Sequence, residues 1–298
     1  MKWQGVVPAI TTPFKPDLSV DADLLVKQVD AIVRGGCTGV VALGSLGEGG
    51  SLSFDEKKAV LRLSREALAG RAPLVAGVAA LTTADAVRLA ELAADAGCEG
   101  LMVLPPYVYR GDWRETRAHF AAVVGGTPLP CMLYNNPIAY GTDVLPEQMV
   151  DLAVSLPNLV AVKESSADVR RVSSLRALLG DRLAILVGVD DLVLEAVQAG
   201  AVGWVAGLAD ALPAESVRLF DLAAAGRIAE ARALYDWFMP LLRLDTVPKF
   251  VQLIKLVQQE TGLGSETVRP PRLPLASPER EAVLDVVRYA LARRPPLG

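Results

Sequence analysis

Along most of the chain, short uninterrupted apolar runs alternate with longer stretches in which apolar positions recur every three or four residues. The runs are residues 5–12 (GVVPAITT), 39–45 (GVVALGS), 73–78 (PLVAGV), 100–106 (GLMVLPP), 130–137 (PCMLYNNP), 159–165 (LVAVKES), 183–189 (LAILVGV) and 201–207 (AVGWVAG). Their length and continuity predict strands buried on both faces. Between them lie helical patterns such as ADLLVKQVDAIVRGG, SFDEKKAVLRLSREALAG, TADAVRLAELAADAG and VSSLRALLG. Ser53 and Glu56 stand in the S-x-x-E spacing of a capping box, and Gly35, Gly70, Gly97, Gly180 and Gly200 follow helical stretches as C-terminal stops.

The strand-helix unit recurs about every 25 to 30 residues, eight times in succession. That predicts an α/β protein built as a closed (β/α)8 barrel over residues 1–225. An open doubly wound sheet has fewer strands and a glycine-rich turn after the first, whereas this first run leads into TTPFKPD. After a helix at about 212–225, three helical patterns follow without strands: AGRIAEARALYDWFMPLLRL, VPKFVQLIKLVQQETG and SPEREAVLDVVRYALARR. They predict a C-terminal helical extension over 226–298, with Ser277 as an N-cap ahead of Pro278.

Composition narrows the chemistry. The 298 residues are 52% hydrophobic but only 5% aromatic, and acidic and basic residues are interspersed at a net charge of −4. Neither nucleic acid nor a membrane is expected as a partner. The start, MKWQGVVPAI, lacks the basic-then-apolar pattern of an export signal, so a cytoplasmic protein is expected. Cys37, Cys98 and Cys131 fall on separate segments without metal-ligand spacing and read as small core residues. The single histidine, His119, lies in a helical pattern, which argues against a Ser-His-Asp triad and a His-rich zinc site. No metal and no cofactor is expected, and acid-base work falls to Lys, Tyr, Ser, Asp or Glu.

In a barrel of this kind, functional groups sit at the C-terminal ends of the strands. Four junctions carry residues that a core does not need: GSLGEGGS (44–51), YNNP (134–137), KESS (163–166) and GVDD (188–191). Lys163 ends an otherwise apolar run, where a charged amine is costly. Tyr134, at the end of the preceding strand, is its expected neighbour, close enough for amine and phenol to reach one small ligand. A buried amine with a lowered pKa could attack a carbonyl, or Lys163 could be half of a structural ion pair with Glu164, although alternation sends Glu164 to the other face. Asp190 and Asp191 could hold a metal or cap a helix, and Tyr107 and Tyr109 could cover a site or form a subunit contact.

The motifs G-S-L-G-E (44–48), Y-N-N-P (134–137), V-K-E-S (162–165) and G-V-D-D (188–191), in that order, resemble the dihydrodipicolinate synthase / N-acetylneuraminate lyase family over essentially the whole chain. The resemblance implies a homo-oligomeric barrel, dimer or tetramer, in which Lys163 forms a Schiff base with C2 of a 2-oxo acid and Tyr134 shuttles protons. It also implies that Ser45, Leu46 and Gly47 bind the substrate carboxylate and that Asn136, Gly188 and Val205 line the pocket. A protonated imine is an electron sink, so one intermediate serves aldol cleavage, aldol addition or loss of a C4 hydroxyl.

The chain departs from the synthases in three places. Ala139 stands where they carry an arginine for the aldehyde's carboxylate. Leu46 replaces a relay hydroxyl, and Val108 replaces the second tyrosine of P-P-Y-Y, donated there by a neighbouring subunit. These departures disfavour the synthase, and Y-N-N-P-I-A-Y-G-T-D together with G-S-L-G-E-G more closely resembles the branch that deaminates 1-pyrroline-4-hydroxy-2-carboxylate, a cyclic imine, to 2,5-dioxopentanoate and ammonia. The alternatives are a 2-keto-3-deoxy sugar acid aldolase or dehydratase, with Asn135, Asn136 and Ser166 for its hydroxyls, then dihydrodipicolinate synthase itself. A non-catalytic sensor on the same barrel is the rival outside the enzymes.

Overall fold

The computed structural model describes residues 1–107 and 109–296; Val108, the site of one departure above, lies outside them. Eight strands alternate with helices: β1 (Gly5–Val6), β2 (Val40–Ala42), β3 (Leu74–Val78), β4 (Gly100–Val103), β5 (Cys131–Asn135), β6 (Leu159–Glu164), β7 (Ala184–Val187) and β8 (Gly203–Trp204). The barrel helices are α1 (Ala22–Arg34), α2 (Phe54–Leu68), α3 (Thr83–Asp95), α4 (Trp113–Gly125), the single turn α5 (Pro137–Tyr140), α6 (Pro146–Ser155), α7 (Arg170–Leu179), α8 (Val193–Gln198) and α9 (Pro213–Ala224). Each strand pairs in parallel with the next, and β1 pairs with β8. The remaining seam is bridged where Ala9 faces Val41, with Val41 N donating to Pro8 O at 2.8 Å and Ile10 N to Val41 O at 2.9 Å. The expected (β/α)8 barrel is the observed one.

The regular strands are shorter than the apolar runs because each run continues past its ladder as extended chain at the rim. Residues 7–10 show this: Val7 and Ala9 donate to Trp204 and Ala206 carbonyls beyond the two-residue strand β1. Alternation sorts the rest into two layers. Inward positions, including Val75, Met102, Met132, Ala161 and Leu186, fill the barrel, while Leu101, Leu133, Val162 and Ile185 pack outward against the helices. Full burial of each such Val, Leu or Ile is worth roughly 1.5–3 kcal/mol.

Local signals behave as their chemistry requires, with two corrections. At α2 the Ser53 hydroxyl accepts from Glu56 N and Glu56 accepts from Ser53 N, the full capping box. After α1 the left-handed residue is Gly36, with φ +92°, while Gly35 stays right-handed, so the stop falls one residue later than expected. At the C-terminus, Ala276 is the N-cap and Ser277 the first helical residue, its hydroxyl donating to Glu281 at 2.8 Å.

The C-terminal stretch forms α10 (Ile228–Leu242), α11 (Phe250–Glu260) and α12 (Ser277–Leu291). Their apolar faces join the barrel's outer core through Phe238, Leu241, Ile254, Val257 and Val287. Among the described residues no helix is long and apolar enough to cross a membrane.

Candidate active site

Two neighbouring strands set the centre of the site. β5 and β6 pair with Tyr134 opposite Lys163, and both side chains point into the barrel mouth. The Lys163 amine lies 4.2 Å from the centroid of the Tyr134 ring, on its face. Room for the lysine stem comes from Gly188, just past β7. A methyl group there would sit 2.4 Å from Lys163 Cε. Gly188 therefore shapes the lysine's slot rather than bordering the pocket.

Glu164 is not the partner of Lys163. It faces the outer layer, where one carboxylate oxygen accepts from Ser166 N at 2.6 Å and the other from Asn135 Nδ2 at 3.2 Å. Among the described residues no carboxylate hydrogen-bonds the Lys163 amine, and burial pushes its pKa below the usual lysine value, with Asp245, Tyr140 and Asp190 pulling the other way.

Asp245 enters from outside the barrel sequence. It ends the 3-10 turn Arg243–Asp245 between α10 and α11, and borders the same pocket as Lys163, Tyr134, Leu46 and Val205. Its carboxyl lies so close to Gly207 that a side chain at 207 would collide with it. Burial and then the neighbouring Asp190 hold its pKa well above the carboxylate range, with Lys163 opposing. Both shifts favour an uncharged pair, a free amine facing a carboxylic acid.

The loop after β2 divides into two halves. Ser45 and Leu46 border the pocket, whereas Gly47 turns away, its carbonyl accepting from Thr12 Oγ1 at 2.7 Å. Glu48, the motif's acid, is buried with left-handed backbone (φ 52°) and accepts from Lys255 Nζ at 2.5 Å and Arg269 N at 3.1 Å. That tether fixes the loop to α11 and offsets the strain of a non-glycine in that conformation.

A second phenol completes the cluster. Tyr140, at the end of α5, hydrogen-bonds with Ser45 Oγ, and its ring stands edge-on to Tyr134 with centroids 5.8 Å apart. The Tyr107 ring lies against Tyr140, with centroids 6.0 Å apart, while Tyr109 is exposed.

Several expected roles move. Asn136 caps α5, accepting from Ala139 N at 3.0 Å, and donates to the Tyr134 hydroxyl at 3.1 Å; it steadies the phenol instead of bordering the pocket. Asn135 is fully buried, bonding Asp143, Glu164 and Val144 N, and Ser166 is engaged with Glu164 and Asp168. Neither is free for a sugar hydroxyl. Asp190 is neither helix cap nor metal ligand: it accepts from Trp204 Nε1, Gly207 N and Leu208 N, and burial lifts its pKa to about 6. Among the described residues no group of three His, Cys, Asp or Glu could hold a metal ion. His119 lies in α4 with Nδ1 against Thr83 Oγ1 at 2.9 Å, and burial raises all three thiols. Tyr140 and Asp245 are the site residues that motif reading passes over.

A parallel barrel with an unpaired lysine and a phenol facing each other at its C-terminal rim has the architecture of Schiff-base-forming lyases. The chain belongs to the Dihydrodipicolinate synthetase family, whose model matches residues 2–290. It is similar to the 4-hydroxy-tetrahydrodipicolinate synthases of Xanthomonas axonopodis pv. citri (36% identical, covering 98% of this chain and 96% of that one) and Rhizobium meliloti (34%, 97% and 98%). Among solved structures it resembles the 4-hydroxy-tetrahydrodipicolinate synthase of Methylacidiphilum fumariolicum SolV (30% identical, TM-score 0.92, 98% of each chain). It also resembles YagE, a prophage protein of E. coli K12 solved in complex with pyruvate (25%, 0.91, 98% and 99%). Family membership makes the chain a Schiff-base lyase and sets the sensor reading aside.

Proposed function

We propose that this lyase deaminates 1-pyrroline-4-hydroxy-2-carboxylate, with Lys163 as nucleophile. The observation that carries the reading is the pocket's far wall, where a carboxyl, Asp245, stands beside Lys163 and no arginine borders the cavity among the described residues. A carboxylic acid there supplies no cation for a second substrate carboxylate and can give its proton to a hydroxyl that must leave as water.

The chemistry then follows from the positions. Ser45 and the loop backbone hold the substrate carboxylate, and the Lys163 amine attacks C2. The ring C2–N bond breaks as Tyr134 protonates the nitrogen, leaving an iminium on Lys163. Tyr134, now a phenolate, takes a proton from C3 to give the enamine, whose electrons expel the C4 hydroxyl as it takes a proton from Asp245. A proton shift from C5 into the conjugated chain turns the C5 amine into an imine, and water hydrolyses the C5 and C2 imines, releasing ammonia and the Lys163 amine. One substrate and one net water become ammonia and 2,5-dioxopentanoate.

The test is ammonia release from the hydroxypyrroline carboxylate, run beside pyruvate with an aldehyde acid and beside keto-deoxy sugar acids. Wild type should release ammonia and Lys163→Ala should not; no ammonia from wild type ends the reading. Asp245 acts protonated, so the rate should fall as pH rises through its elevated pKa, and Asp245→Asn should be slow at every pH with that alkaline limb gone.

The comparisons support a second reading more directly than they support the deaminase. The relatives named above are 4-hydroxy-tetrahydrodipicolinate synthases, and Arg110 lies against Gly141, just beyond Ala139, where a guanidinium could meet an aldehyde's carboxylate. Condensation of pyruvate with aspartate semialdehyde, lost in Arg110→Ala, is its signature. Whichever substrate is taken, a homo-oligomer is expected from the family.

A further inference from the structure

The turn after β5 is built to deliver one side chain. Asn136 caps it, Pro137 fills the first helical position, Tyr140 N donates to Asn136 O at 3.0 Å, and Gly141 leaves the turn at φ +73°. One turn of helix carries the chain back over its own origin, so Tyr140 lands above Tyr134. Its hydroxyl bonds to Ser45 on the opposite side of the pocket. Tyr134, Tyr140 and Ser45 therefore stand in a row from the Lys163 amine to the substrate-facing loop, with Asn136 orienting the first phenol. The inner end of the row is shielded from solvent, Tyr134 being only 5% exposed, while Tyr140 and Ser45 are half-buried.

We propose that Tyr140 is the second hydroxyl of a proton relay contained in one chain, passing protons between Tyr134 and Ser45, so that no neighbouring subunit completes the site. When the group leaving C2 takes a proton from Tyr134, the O–H bond of Tyr134 breaks. Tyr134 regains its proton from Tyr140, Tyr140 from Ser45, and Ser45 from water at the pocket mouth. One proton enters and one is delivered, and each hydroxyl ends as it began. Ser45 thereby has two tasks, holding substrate and closing the relay. This depends on Schiff-base formation at Lys163, not on which substrate is natural.

The experiment measures the rate at which pyruvate becomes trapped on Lys163 by borohydride, read by mass spectrometry. Pyruvate serves as probe because it needs only the amine and the relay, so failure of the deaminase reading leaves this test intact. Tyr140→Phe keeps the ring and should slow trapping about 100-fold. Burial raises the Tyr134 pKa, and the pH profile of trapping should change in Tyr140→Phe, which lost packing alone does not do. Ser45→Ala should slow the same step, and the double variant should be no slower than the worse single one. Chains carrying Tyr134→Phe and chains carrying Tyr140→Phe, refolded together, should regain no activity. Trapping by Tyr140→Phe within about threefold of wild type, or recovery in the mixture, would overturn the proposal.

Discussion

Two lysines are buried in this molecule, and each lies against the face of an aromatic ring, yet their surroundings differ completely. Lys255, on α11, has its amine 4.4 Å from the Phe14 ring centroid, 2.5 Å from Glu48 and 2.8 Å from the Thr267 carbonyl. Lys163 has the Tyr134 ring and no hydrogen-bonded acid. Burial lowers both pKa values, Lys255 to about 8 with Glu48 opposing the fall. A satisfied buried lysine is a fastener that holds the substrate loop to the C-terminal helices. An unsatisfied one is biased by burial towards the neutral amine at the mouth of the barrel. Burial shifts the neighbouring Asp245 upward, so both groups are moved away from the charged form that a poorly solvated place penalises.

The largest test of that contrast is Lys163→Met. It removes the proposed nucleophile and should cut turnover by at least about 10,000-fold, with no borohydride adduct. Stability in denaturant should stay within about 1 kcal/mol or rise, because an apolar side chain of similar length replaces an unpaired amine. A clear loss of stability would put Lys163 in the same class as Lys255. The converse experiment is Lys255→Met, which strands the Glu48 carboxylate and should cost about 3–5 kcal/mol, recovered in part by adding Glu48→Gln. A cost under about 1 kcal/mol would remove the distinction. The smallest effect belongs at the solvent edge of the same tether, where Arg269 holds Glu56 through paired hydrogen bonds and draws its pKa down to about 2. Because the folded value is depressed, this contribution is present above about pH 4.5 and lost as pH falls towards 2. Glu56→Gln should cost about 1 kcal/mol or less at neutral pH, since the pair is partly solvated, and the difference from wild type should vanish in melts near pH 2.

Sequence carried the barrel well because its signal is repeated. Period-two and period-3.6 patterns alternate through eight units, and no single error changes the reading. It also predicted the juxtaposition of Tyr134 and Lys163, because neighbouring strands in a parallel barrel pair in a fixed order. Roles that depend on where a loop turns were not visible. Gly47 and Asn136 read as ligands, yet one offers its backbone to Thr12 and the other caps a turn and steadies a phenol. Glu48 sits inside a binding motif but pairs with a residue of α11, a contact that no local spacing encodes. Tyr140 was in plain view in Y-N-N-P-I-A-Y-G, but only the single helical turn aims it back at Tyr134. Asp245, in a polar joint between two helices, carried no signal at all.

Asp245 has a consequence for how such an enzyme can change. The Lys163 amine and Tyr134 phenol come from β6 and β5, while Asp245 on the same pocket's wall comes from a joint after α10. The two are written in separate stretches of the gene and meet only in the folded chain. Substitution or exchange of that distant joint can therefore redirect the choice of molecule while leaving the shared chemistry untouched. Ancestry traced through the barrel strands and ancestry traced through substrate preference need not tell the same story.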